Sequence, residues 1–139
     1  MNTTPWQNSH QLQRTILDNL IEHVVYHDMA MRVLWANRAA CQSAGLELDQ
    51  VIGRHCYEIW PKRATPCENC PVSRSWKTRL PQSKETTTPD GRSWYISASP
   101  VFDDRGQIVA MIELTLEVTE RVQATEALKR IQNELGQLV

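Results

Sequence analysis

The chain has 139 residues, which suits a single domain with short extensions. Apolar residues make up 41% and charged residues 22%, enough to build a small core and to argue against wholesale disorder. The net charge of −1 supplies no global attraction to a nucleic acid or an anionic membrane, so no nucleic-acid partner is expected. No run of about 18 apolar residues exists to span a membrane. Met1–His10 is polar and lacks the apolar segment of a secretory signal. A cytoplasmic, reducing location is therefore expected, where closely spaced cysteines serve metal or redox chemistry more often than structural disulfides. Four cysteines are present, Cys41, Cys56, Cys67 and Cys70, three of them within fifteen residues.

From Gln7 to Glu22 the apolar residues Leu12, Ile16, Leu17, Leu20 and Ile21 recur at helical spacing, which predicts an amphipathic helix. His23–His27 holds the strand formers Val24, Val25 and Tyr26. Asp28-Met29-Ala30 reads as a reversal, and Met31–Ala36 as a second strand. Asn37 is placed to cap a short helix that Gly45 ends. A small helix over Glu47–Ile52, closed by Gly53, and a helical turn at Cys56–Trp60 follow. Pro71 suits the first position of a helix running to about Arg79, broken by Leu80-Pro81.

The remainder reads as strands. Ser83–Thr88 and Ser93–Phe102 flank the turn Pro89-Asp90-Gly91-Arg92, and Asp103-Asp104-Arg105-Gly106 turns the chain again. Trp94, Ile96 and Ala98 share one face of their strand, with Tyr95 and Ser97 on the other. Ile108, Ala110, Ile112, Leu114, Leu116 and Val118 then alternate with residues that become polar at Glu113, Thr115 and Glu117. That pattern predicts a strand with its even residues on the core and its odd ones toward water. After Thr119 the period changes. Leu128, Ile131, Leu135 and Leu138 form a heptad seam too short to be stable alone, so a second copy is the expected partner. The order of elements argues an α+β fold with an antiparallel sheet covered on one face.

Several segments in register resemble the PAS domain of bacterial and archaeal signalling proteins. Trp35-Ala36-Asn37-Arg38-Ala39-Ala40 is similar to that family's step from the second strand into a helix. Gly45 through Ile52-Gly53, the two turns at Pro89–Arg92 and Asp103–Gly106, and the exit Glu117-Val118-Thr119-Glu120-Arg121 are similar to further family segments. The exit departs from the usual pattern in having Glu117 where the family commonly has Asp. The resemblance spans about Ile16 to Arg121.

It implies a PAS fold: a five-stranded antiparallel sheet of order 2-1-5-4-3, helices on one face, and N- and C-terminal flanking helices. The organisation expected is an N-terminal helix over 1–22, a core over 23–118 and a signalling helix over 119–139. The implied role is sensory: a ligand, redox or metal state is detected and passed through Glu117, Thr119, Glu120 and Arg121 to an output such as a histidine kinase of a two-component system or a diguanylate cyclase. That output lies outside the residues 1–139, on a longer protein or on a separate partner. A homodimer with contacts at Leu12, Ile16, Leu20, Leu128, Ile131 and Leu135 is expected. No catalytic motif is present, and a ligand-free dimerisation module is the plainest alternative. A ligand pocket would draw on Trp35, Tyr57, Trp60, Trp76, Trp94 and Ile96.

Gly53-Arg54-His55-Cys56-Tyr57 followed by Pro66-Cys67-Glu68-Asn69-Cys70-Pro71 resembles a recurrent PAS subfamily pattern. Two thiolates in a CxxC spacing can chelate one ion, but they are too few for structural zinc or an iron–sulfur cluster. Cys56 supplies a third donor. Cys41, His55 or an exogenous group would be the fourth. A reversible thiol switch is the second reading, aided by Cys70 preceding a helix start, where the helix dipole lowers a thiol pKa. Packing alone, or an adventitious disulfide, is the third. Haem is disfavoured because the Pro71–Arg79 helix carries no histidine, and flavin photochemistry because no Asn-Cys-Arg motif exists.

Overall fold

The computed structural model describes residues 8–137. Residues 1–7 and Leu138 of the expected heptad seam lie outside them. The first helix, α1, runs Ser9–Asp18, shorter at both ends than the apolar periodicity suggests. Asn8 caps it at the start through Gln11 N–H, and Asn19 closes it, its side chain donating to the Thr15 carbonyl. Strand β1 is His23–His27 and β2 is Val33–Ala36. β2 begins later than expected because Met31 lies in the left-handed region at φ 65° and Asp28 accepts from Ala30 and Arg32 N–H, which holds residues 28–32 in a turn.

Helices α2 (Arg38–Ala44), α3 (Leu48–Val51), α4 (Cys56–Ile59) and α5 (Pro71–Thr78) follow. Gly45 closes α2 at φ 68°, with nothing within 4 Å of a Cβ built there. Gly45→Ala therefore meets no clash, only the left-handed backbone penalty. A loss of about 1–2 kcal/mol is expected from urea unfolding.

Strands β3 (Gln82–Thr87), β4 (Ser93–Phe102) and β5 (Ile108–Glu117) complete one antiparallel sheet of order β2-β1-β5-β4-β3. The long helix α6 (Thr119–Gln137) leaves from β5 and buries none of its residues. Among the described residues no helix is long and apolar enough to cross a membrane.

Side chains directly opposite in an antiparallel ladder share a face. The inner face, under the helices, carries Val25, Val33 and Ala36 packed with Ala40, Val51 and Ile59. It also carries Ala98 and Met111, packed with Cys70 and Val72. Val25 pairs with Glu113 and His27 with Met111, so odd residues of β5 point inward there. The orientation expected for β5 is thus reversed over 111–117. Ile112, Leu114 and Leu116 join Tyr26 and Tyr95 on the outer face, where Ile112 and Tyr95 are exposed. The physical reason is that this sheet has an apolar layer on both sides, so apolar character does not mark the inward direction.

Candidate functional site

The inner face holds a cluster of metal-ligating side chains drawn from four segments of the chain. His27 ends β1 and is completely buried. Glu113 lies one inward-facing position along β5 from Met111, the direct partner of His27, which places it diagonally across from the imidazole. His27 Nε2 is 3.7 Å from Glu113 Oε2, and neither ring nitrogen has a hydrogen-bond partner.

Cys56 is delivered by the loop after α3. Gly53 N–H donates to the Val33 carbonyl, Val33 N–H donates to the Arg54 carbonyl, and His55 bridges Arg32. Cys56 N–H then donates to the Met31 carbonyl at 3.0 Å. These bonds stitch the loop to the start of β2 and set the first residue of α4 above β1. The ligand atoms of His27, Cys56 and Glu113 all lie within 4.8 Å of one another, and among the described residues no other trio of His, Cys, Asp and Glu does so.

The CxxC segment borders this trio. Cys70 is the N-cap of α5, with Pro71 at the first helical position, and Asn69 takes the left-handed conformation at φ 53°. Lys84 of β3 donates to the Glu68 carbonyl at 3.1 Å and pins the segment to the sheet. Burial pushes the Cys56 thiol far above its ordinary pKa, reinforced by Glu113, Cys70 and Cys67. Burial and Cys70 also raise Cys67, against the opposing pull of Arg63 and Lys84. These two thiols stay protonated at neutral pH, the reverse of an activated nucleophile. All four cysteines are free.

The two candidate fourth donors lie elsewhere. Cys41, on α2, has its thiol raised by burial and by Asp18 and Glu47, not by the other cysteines. It lines a cleft of about 710 Å³ with Arg14, Trp35 and Gln42. The His55 ring stacks on Tyr57 at 4.8 Å, and its Nδ1 meets Glu58 Oε1 at 2.9 Å.

The six residues expected to line one pocket are not brought together. Trp35 faces the cleft beside α2, whereas Tyr57 and Trp76 line a separate cavity of about 300 Å³ with Met29, Met31 and Met111. Trp60 donates from Nε1 to the Ala40 carbonyl and Ser43 Oγ. Trp94 sits near the sheet end, donating to Thr88 Oγ1 under the Arg92 guanidinium. Ile96 stands opposite Lys84 and Thr115 on the inner face. They disperse because aromatic residues serve several small packing layers in a domain of this size.

His27 and Glu113 escape a reading of the sequence. Their only local signal is a polar residue at an inward strand position, and which positions are inward depends on the β1–β5 register.

The family model for the PAS fold matches residues 17–123. The chain belongs to the PAS fold family. Its sheet order and helical layer agree with that assignment. Among solved PAS structures, it is similar to the PAS domain of a protein from Colwellia psychrerythraea, with a TM-score of 0.64 at 14% identity over 81% of this chain and 99% of that one. The PAS domain of BvgS from Bordetella pertussis gives 0.60 at 19% identity, over 87% and 93%. A sensory box sensor histidine kinase from Vibrio cholerae gives 0.61 at 13% identity, over 80% and 93%. A comparison with curated proteins finds no match.

Proposed function

We propose that this PAS domain is a cytoplasmic sensory module that reads a small ligand or a metal or redox state at its inner face. It passes the result through α6 to an output such as a histidine kinase or a diguanylate cyclase, working as a homodimer. The similarity to the domain of a sensor histidine kinase supports the class of role. The observation that carries the reading is the β5–α6 junction.

Thr119 Oγ1 accepts from Ser93 N–H at 3.0 Å and donates to Glu117 Oε2 at 2.8 Å. Val118 N–H donates to the Ser93 carbonyl, and Arg121 pairs with Glu85 at 3.0 Å. Glu117, which stands where the family commonly has Asp, reaches the threonine hydroxyl with its carboxylate. Beyond these ties α6 buries nothing, so its direction is set by the ends of β4 and β5. A shift on the inner face of β5 moves the helix as a unit, which is what a two-state relay requires.

Leu128, Ile131 and Leu135 are each more than half exposed, and Leu12 and Ile16 on α1, with Leu20 just after it, are also exposed. Both stripes suit a second copy of the chain. Light scattering is expected to find a dimer that Ile131→Asp dissociates. Fused in heptad register to a kinase core, the domain is expected to set an activity that Thr119→Val shifts severalfold. A monomeric wild-type chain overturns the dimer, and a fusion indifferent to Thr119→Val overturns the relay.

A further inference from the structure

We infer that His27 Nε2, Cys56 Sγ and a Glu113 carboxylate oxygen form the core of a binding site for a zinc-class divalent ion, with the fourth position taken by a thiolate of the Cys67–Cys70 pair. The inference deepens the sensory reading at its input end. It rests on that reading for the consequence of binding, not for the binding itself.

Three observations carry it. The donor atoms of His27, Cys56 and Glu113 all lie within 4.8 Å of one another. A tetrahedral zinc shell, with metal–ligand bonds of about 2.0–2.3 Å, has edges of roughly 3.3–3.8 Å. The His27–Glu113 separation of 3.7 Å already fits such an edge, so only a small contraction around Cys56 is needed.

The second observation is the imidazole. It is wholly buried, yet both ring nitrogens lack partners. An imidazole in that state has lost its hydration without a return, and coordination through Nε2 supplies one. The third is charge. A neutral imidazole, one thiolate and one carboxylate cancel a divalent cation, which suits a buried position. A second thiolate leaves one excess negative charge, and Arg63 and Lys84 already face Cys67.

The mixed imidazole, thiolate and carboxylate set suits zinc better than the oxygen-seeking magnesium or calcium. It also argues against a four-iron cluster held only by cysteines, because Cys41 lines the cleft with Asp18 and Glu47 and is not part of the donor cluster. Binding transfers the Cys56 proton, and that of the fourth thiol, to solvent.

The test is titration of the reduced, chelator-treated full chain with cobalt(II), followed by absorption. One equivalent per chain is expected to give thiolate-to-metal charge transfer and the intense visible bands of tetrahedral cobalt. Zinc should displace it. His27→Leu and Cys56→Ser should each weaken binding at least tenfold, and Cys41→Ser and His55→Gln should leave it unchanged. Circular dichroism checks that each variant is folded. Should Cys56→Ser fail to fold, X-ray absorption at the zinc edge of the wild-type chain decides instead, by showing mixed nitrogen, oxygen and sulfur ligation.

No cobalt binding by the folded, reduced chain overturns the site, as does binding indifferent to His27→Leu. An all-sulfur shell at the zinc edge also overturns it. Metal binding as described, in a kinase fusion that ignores Thr119→Val, leaves the site standing and removes the relay. A fusion that responds to Thr119→Val in a chain that binds no metal does the reverse.

Discussion

Asn37→Ala is expected to cost about 3–5 kcal/mol, because one buried side chain holds four backbone groups at once. Its Oδ1 accepts from Val24 N–H at 3.0 Å and from Ala40 N–H at 3.1 Å. Its Nδ2 donates to the Leu17 carbonyl at 2.7 Å and the Glu22 carbonyl at 3.0 Å. The residue is 0% exposed, so water cannot replace those partners without opening the fold. Each net hydrogen bond contributes about 1 kcal/mol, and the groups left buried without a partner add to the loss.

The site joins α1, the start of β1 and the start of α2, so its loss loosens the N-terminal helix as well as the cap. Asn37→Asp keeps both acceptances but turns a carboxylate on two carbonyls, and is expected to be at least as costly. Asn37→Ser restores only the cap, worth about 1 kcal/mol. Urea unfolding with a shared slope measures all three. A loss below about 1 kcal/mol for the alanine variant removes Asn37 as the tie.

The second large effect is a reversal of sign at His27. In metal-free protein, His27→Leu is expected to leave stability unchanged or raise it by up to about 2 kcal/mol. It replaces a buried ring with two unpartnered nitrogens by an apolar side chain of similar size. In zinc-loaded protein the same substitution is expected to be destabilising. Zinc at a hundredfold excess over its dissociation constant stabilises the wild type by about 2.7 kcal/mol; a variant weakened tenfold forgoes about half of that, and one weakened about a hundredfold forgoes most of it. Thermal unfolding with and without zinc reads both halves. A variant that loses several kcal/mol in chelator shows that His27 serves the core alone. Equal zinc stabilisation of both proteins places the ion elsewhere.

Much of the fold is legible locally because the signals are short-range. Asn37 before Arg38-Ala39-Ala40 and Gly45 after Ala44 bracket α2, as expected from cap chemistry. Pro71 opens α5 and the turn around Gly91 separates β3 from β4. The end of α1 is less legible, because Leu20 and Ile21 continue the apolar period beyond Asn19. Ile21 is 86% exposed, so its apolar character reflects neither the helix nor the core.

The candidate site divides in the same way. Cys56, Cys67 and Cys70 stand out by type and spacing alone. His27 and Glu113 do not, since each looks like an ordinary polar residue in a strand. Glu113 in particular reads as a water-facing position between Ile112 and Leu114, yet it points at Cys56 and His27.

From its sequence alone, this protein is committed to a PAS fold: element types, caps, turns and the alternation of β5 are properties of neighbouring residues. The tertiary structure decided which face of β5 looks inward and which residues meet the cysteines. Alternation shows that a strand has two faces but not which one is covered. That choice comes from pairing β1 with β5 at a sequence separation of 84, counted from His27 to Met111, and from helices laid on one side of the sheet. A one-residue slip in that register would have turned Glu113 outward and left His27 without its neighbour.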